Sequence, residues 1–209
     1  MKRATKPYRV NKLCSPCVPS LIIQIMFQTF KTARLNINAI SSNTRLQILE
    51  DFLRRQYIDF ALLQQVSHTA LNTIRRYTVH MNIGTDRRGT AVLAKDGLAL
   101  LNVQRLPSGR RMSASFHGIF IVNIYAPSGA ERRQEREAFY NTEVVQLIPS
   151  SSTAMRLAGD FNCVITNDDC TGQRNYSRAL ARLMQGLDEL HTQITLPMAL
   201  PGLTHDMRR

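Results

Sequence analysis

The chain has 209 residues, 44% of them hydrophobic, which fits one globular domain with a substantial core. Its 27 Lys and Arg against 15 Asp and Glu give a net charge of +12, and 22 of the 27 are arginine, which forks phosphate bidentately; nucleic acid is the natural partner and an acidic membrane surface the second. Four cysteines (Cys14, Cys17, Cys163, Cys170) make no disulfide framework and the apolar run Leu21 to Phe27 is too short to span a bilayer, which excludes a disulfide-stapled scaffold and a membrane-spanning chain.

Residues 1–30 read as a basic, Pro-punctuated extension that cannot be assigned, followed by a domain over 31–209. Residues 1–34 hold seven basic and no acidic residues, so the remainder carries 20 − 15 = +5 and is only moderately basic. Cys14-x-x-Cys17 has the spacing of a zinc or redox pair, yet no second pair, suitably placed histidine or preceding βαβ unit accompanies it. Lys2, Arg3, Lys6, Arg9 and Lys12 ahead of the apolar run loosely resemble a secretion signal, but no small-x-small cleavage site follows. The expected location is nuclear or cytoplasmic, not secreted.

From Ala33 the pattern sharpens. Arg34-Leu35-Asn36-Ile37-Asn38 alternates as a half-buried strand does, delivering two asparagines to one face. Asn43 or Thr44 can cap a helix whose apolar positions Leu46, Leu49, Phe52 and Leu53 recur at helical spacing. Ile58 to Gln65 is then a buried strand, completing a βαβ-like start whose strands both end in amide side chains. Strands are expected at Val79–Ile83, Gly89–Ala94, Leu98–Val103 and Met112–Phe116, with turns at Asp96-Gly97, a strong hairpin signal, and Ser108-Gly109; residues 77–125 thus read as an antiparallel meander. Ile119 to Tyr125 is a further buried strand, stopped by Ala126-Pro127-Ser128-Gly129. Glu131 to Ile148 is a charged helix with an apolar stripe through Phe139, Val144, Val145 and Leu147. The run Ala154 to Ala158 opens another strand, and Ser177 caps a helix with Leu180, Leu183, Met184, Leu187 and Leu190 on its core face. Strands with helices between and after them make an α/β sandwich.

The strand from Ala154 ends in Gly159-Asp160-Phe161-Asn162, which puts an acid and an amide on one face; the same four residues also make an ordinary turn. Read in order, Leu35-Asn36-Ile37-Asn38, Ile58-Asp59-x-x-Leu62-Leu63-Gln64-Gln65, Arg88-Gly89-Thr90-Ala91, Asn123-Ile124-Tyr125-Ala126-Pro127-Ser128-Gly129 and Gly159-Asp160-Phe161-Asn162-Cys163 resemble the endonuclease/exonuclease/phosphatase family, and more narrowly the apurinic-type endonuclease domain of LINE-type (non-LTR) retrotransposons. The resemblance covers residues 33–206. It implies a four-layered α/β sandwich of two packed mixed sheets flanked by helices, a Mg²⁺- or Mn²⁺-dependent hydrolase that nicks DNA, and a reverse transcriptase domain in the full-length element. Carried over, Asp160 would orient or deprotonate water, Asn162 hold the phosphate, Tyr125 donate to a phosphate oxygen, Asn36 and Gln65 stand at the metal, and Arg88, Asn123 and Arg110 contact nucleic acid. Tyr125 and Asn36 also read as a strand-end aromatic and a turn-capping amide.

Two departures accompany the matches. Where the family has its principal metal-binding glutamate this chain has Gln65, a neutral amide that a hard cation disfavours, so metal binding should be much weakened. Beyond Leu203-Thr204 the family continues to a Ser-Arg-Ile-Asp segment and an Asp-His pair; His205-Asp206 directly follows the threonine in reversed order and reads as strand, so the domain is expected to lack its last strands and expose an unpaired edge. A non-catalytic nucleic-acid-binding remnant using Arg75/Arg76, Arg87/Arg88, Arg110/Arg111 and Arg132/Arg133 is the alternative from another class, and a phosphatase on the same fold is the third.

Overall fold

The computed structural model describes residues 30–38, 40, 42–67, 69–147, 154–163, 177–188 and 193–195. The expectations for residues 1–29, including Cys14-x-x-Cys17, and for Leu203-Thr204-His205-Asp206 with the missing strands fall outside the described residues.

Strand β1 (Thr32–Asn36) lies parallel to β2 (Phe60–Val66), joined by helix α1 (Asn43–Arg55), as the βαβ-like reading expects. The helix starts one residue earlier than expected: Ser42 is the N-cap, with an extended backbone and its Oγ accepting from the Arg45 N–H at 3.3 Å. Leu46, Leu49 and Leu53 are the buried stripe. β2 then pairs antiparallel with β4 (Gly89–Lys95), and β4 with β3 (Tyr77–Ile83), giving a four-stranded sheet of order β1-β2-β4-β3.

The second sheet has five strands in the order β5-β6-β7-β8-β9: β5 (Leu101–Arg105), β6 (Arg111–Phe116) and β7 (Ile119–Tyr125) antiparallel, then β8 (Met155–Asp160) and β9 (Gln193–Thr195) added in parallel. The expected single meander over 77–125 is therefore divided between two sheets. Asp96-Gly97 does turn the chain, Gly97 having φ +91°, but β4 pairs with β2 and β3 while β5 pairs with β6, so no hairpin forms there. Two hairpins close on turns that carried no sequence signal: Gly84 to Arg88 between β3 and β4, and His117-Gly118 between β6 and β7, where both residues have positive φ as a tight two-residue reversal requires.

Three apolar clusters fill the spaces between layers. Leu35, Ile37, Leu49, Leu53, Leu63 and Leu93 pack α1 onto the first sheet. Phe60, Leu62, Val92, Met112, Phe116 and Ile121 lie between the two sheets. Val122, Ile124, Leu157 and Phe161 meet the helices outside the second sheet, namely α2 (Arg133–Ala138, continued by a wide π turn at Phe139–Val144) and α3 (Arg178–Asp188). The result is helix, sheet, sheet, helix: the expected four-layered sandwich. Central strands covered on both faces read as continuous apolar runs, which is why Phe60 to Leu63 and Ala91 to Ala94 show no alternation. Ser177 caps α3 as read, its Oγ accepting from the Leu180 N–H at 3.1 Å. The π turn changes the helical phase, so Phe139, Tyr140 and Val144 are buried while Val145, expected on the same stripe, is exposed. Among the described residues, no helix is long and apolar enough to cross a membrane.

Candidate functional site

Parallel pairing puts the ends of β1 and β2 side by side, Asn36 opposite Gln64, and the ends of β7 and β8 likewise, Tyr125 opposite Asp160. Packing one sheet on the other brings these four strand ends together. Across the gap the Asn36 side-chain amide donates to Asp160 Oδ2 at 2.6 Å, joining residues 124 positions apart. The other carboxylate oxygen, Oδ1, accepts the Asn162 N–H at 3.1 Å. Asn36 Oδ1 accepts the Asn38 N–H at 3.1 Å, which fixes the amide in the orientation that donates to Asp160.

Backbone strain concentrates here. Asn38, Gln65 and Asn162, which end three of these segments, have φ of 42°, 57° and 47°, a region that side-chain-bearing residues seldom adopt and that clusters at functional sites. Gln65 owes its conformation to a bulge: Gln64 pairs with Thr90 and Val66 with Gly89, leaving Gln65 out of the ladder and half-buried. Asn162 spends one amide N–H on the Ala126 carbonyl at 2.7 Å, tying the loop after β8 to the end of β7. From outside the sheet the Tyr140 hydroxyl donates to the Phe161 carbonyl and contacts Cys163 Sγ at 3.4 Å, and burial drives its pKa far above the ordinary tyrosine value.

Three residues expected to meet ligand are built into the core instead. Asn123 is wholly buried: its amide donates to the Leu63 and Ala91 carbonyls at 3.0 and 2.9 Å and its Oδ1 accepts from Gln64 Nε2 at 2.7 Å. With every polar atom used between the sheets, it cannot contact nucleic acid. Arg110 is 6% exposed; it pairs with Asp86 at 3.1 Å and lies 5.4 Å over the ring of Tyr125, itself 1% exposed. The pair is a cation–π support under the turn before β4, and neither side chain is open to a phosphate in this geometry. Arg88 does stand at the surface of that turn, its backbone N–H held by Asp86 Oδ1 at 3.1 Å, beside the equally exposed Arg87.

Sequence reading overlooked Arg34. Alternation turns Ala33, Leu35 and Ile37 toward α1 and therefore Thr32, Arg34 and Asn36 toward the second sheet. Arg34 is 6% exposed, and its Nε and Nη1 have no hydrogen-bond partner among the described residues. Burial lowers its pKa to about 10 and Asp160 pulls it the other way, so the guanidinium is charged at neutral pH. The signal for it was present: a charge on the inward-facing phase of a strand whose other inward residues are polar.

The donor set does not fit the Mg²⁺ or Mn²⁺ that the resemblance implies. Both oxygens of Asp160 are engaged, Asn36 presents an amide N–H to it, and β2 ends in the neutral Gln65. Among the described residues no three His, Cys, Asp or Glu side chains come together as a cation site. A groove of about 510 Å³ lined by Glu50, Arg54, Tyr57, Arg75, Arg76 and Lys95 opens at the opposite ends of β2 and β4, so Arg75 and Arg76 lie away from Asp160.

No family model matches this chain, and no curated protein does. Solved structures do. An AP endonuclease from Archaeoglobus fulgidus superposes with a TM-score of 0.58 at 19% identity, covering 78% of this chain and 71% of that one. A 3′ phosphatase, NExo, from Neisseria, bound to product DNA hairpin, gives 0.60 at 17% identity with the same coverage of 78% and 71%. TDP2 from Caenorhabditis elegans gives 0.52 at 17% identity over 69% of this chain and 50% of that one. Identity this low speaks for backbone architecture alone, and on it the chain has the fold of the endonuclease/exonuclease/phosphatase proteins.

Proposed function

We propose that this chain is a phosphodiester hydrolase by descent, the DNA-nicking endonuclease domain of a LINE-type retrotransposon, and that its hydrolytic activity is impaired in this copy by Gln65. The observation that carries the reading is the Asn36–Asp160 bond at the meeting of four strand ends, with the strained Asn38 and Asn162 donating their backbone N–H groups to that pair. The order of the five sequence motifs supports the retrotransposon origin, where a reverse transcriptase domain would accompany this one. That two structural neighbours are an AP endonuclease and a phosphatase bound to a DNA hairpin supports DNA as the substrate class.

In this reading Asp160, held by Asn36 and by the Asn162 N–H, orients the attacking water and takes its proton. Asn162 keeps one amide N–H for a phosphate oxygen. Arg87 and Arg88, exposed at the same end, contact the DNA backbone. Gln65, in the bulge, offers one carbonyl oxygen and no charge where a metal carboxylate is wanted.

A plasmid-nicking assay in Mg²⁺ or Mn²⁺ tests this. The natural chain should nick barely above background, Gln65→Glu should gain at least about tenfold, and Gln65→Glu with Asp160→Ala should lose the gain. Robust nicking by the natural chain would refute the impairment. An inert Gln65→Glu chain that still binds DNA, with affinity falling steeply with salt, would make it a binding remnant.

A further inference from the structure

Two inter-sheet rungs flank Arg34. At one, Arg156 Nη1 donates to Thr32 Oγ1 at 3.1 Å; at the other, Asn36 donates to Asp160 at 2.6 Å. Alternation along β1 and β8 puts Arg34 on the rung between, where β8 presents Ala158, a residue of the inter-sheet cluster. A methyl leaves room for a guanidinium, and the charge of Asp160 reaches it. An unpartnered buried cation is expensive, and a fold keeps one where it offsets negative charge nearby. Here the nearby negative charge is Asp160 together with whatever anion the site accepts, and among the described residues no metal carboxylate set stands by to supply a cation.

We propose that Arg34 is a built-in cation of the Asp160 site: held between the sheets behind the carboxylate, it offsets the charge of Asp160 and of an incoming phosphodiester, so that the site takes a phosphodiester without a divalent metal. This rests on reading the Asp160 end as a phosphodiester site. Arg34 acts through its field, as a positioning residue, and the proposal concerns binding, with no hydrolytic step. Its logic is that a phosphodiester beside an uncompensated carboxylate is repelled, and that a fixed charge in a poorly hydrated space is weakly screened.

The test titrates the full chain with thymidylyl-thymidine, a monoanion across the working range, in excess EDTA, followed by phosphorus NMR. Arg34→Gln should weaken binding about tenfold, the size of one partly screened unit charge. The same variant should melt no lower than the natural chain, since it removes an unpartnered buried charge, so lost binding is not lost folding. Arg34→Lys, which keeps a positive charge at the same place, should bind far better than Arg34→Gln at neutral pH. Should Arg34→Gln fail to fold, Asp160→Asn serves instead: it removes the repulsion and should tighten dinucleotide binding in EDTA.

Equal affinity in Arg34→Gln and the natural chain would overturn the proposal and leave Arg34 as an inward charge that protects an edge strand from pairing. A folded natural chain that ignores the dinucleotide in EDTA would overturn it too. If Gln65→Glu nicks DNA while either of those results holds, the hydrolase reading survives alone. If binding in EDTA depends on Arg34 while Gln65→Glu stays inert, this inference survives alone.

Discussion

Gln64 and Asn123 fasten the two sheets to each other beside the site, and neither touches solvent. Asn123 satisfies two backbone carbonyls of the first sheet and accepts from Gln64, 59 residues earlier; Gln64 Nε2 also donates to the Leu62 carbonyl at 3.1 Å, and Gln64 Oε1 has no partner among the described residues. Removing one member of such a pair costs more than removing both, because the survivor stays buried and unsatisfied. Asn123→Leu should therefore lower unfolding stability by about 2 kcal/mol or more. Gln64→Leu with Asn123→Leu should fall short of the sum of the single changes by about 1 kcal/mol in urea titrations. Strict additivity would mean that the amides do not share one network.

At the scale of elements, Gly159 shows how closely β7 and β8 approach. A Cβ there would sit 2.1 Å from the Ile124 carbonyl oxygen, inside contact distance of the backbone, at φ +154°. Gly159→Ala should therefore cost more than about 1 kcal/mol and lower the melting temperature, since a strand backbone cannot move aside as a flexible side chain can. If the variant melts with the natural chain, the approach is looser than described. Turn chemistry was legible at this scale but pairing was not: Asp96-Gly97 reverses the chain as its residues require, yet which strand lies alongside is decided by where the second sheet packs. Similarly, α2 has the expected apolar residues, and one π turn rotates Val145 out of the stripe that a uniform 3.6-residue period would give it.

For the whole molecule, burial sets the alkaline limit of stability. Tyr140 and Cys163 are both pushed up from their ordinary values of 10.0 and 9.0, chiefly by desolvation, as Tyr77 is from 10.0. The folded chain then holds protons that the unfolded chain releases, so this contribution to stability is full below about pH 9 and falls as pH rises, by up to about 1.4 kcal/mol per pH unit for Tyr140 and for Cys163 once the unfolded pKa is passed, and by less for the more exposed and better screened Tyr77. Arg34, lowered to about 10, acts in the opposite direction, but only above that pH. Tyr140→Phe, which loses the bond to the Phe161 carbonyl, should be less stable than the natural chain by about 1 kcal/mol at pH 7. The gap should close as pH rises past 10, and a gap that widens in denaturation curves at pH 7 and pH 10.5 would contradict the burial of this hydroxyl.

The sequence by itself determined most of the elements: alternation made β1, apolar runs made β2, β4 and β7, Ser177 started α3, and Asn36, Asp160 and Asn162 stood at strand ends where a site can form, whereas β5 begins at Leu101 and not at Leu98 and the short β9 (Gln193–Thr195) carried no signal of its own. These are local matters, settled within a few residues by periodicity and turn chemistry. Only the tertiary structure decided which strand ends meet, that Asn123, Arg110 and Tyr125 turn into the core, and that Arg34 stands unpartnered behind Asp160. Those outcomes depend on the packing of one sheet against another across 124 positions of chain, and an inward-facing polar residue shows in sequence only as a polar residue.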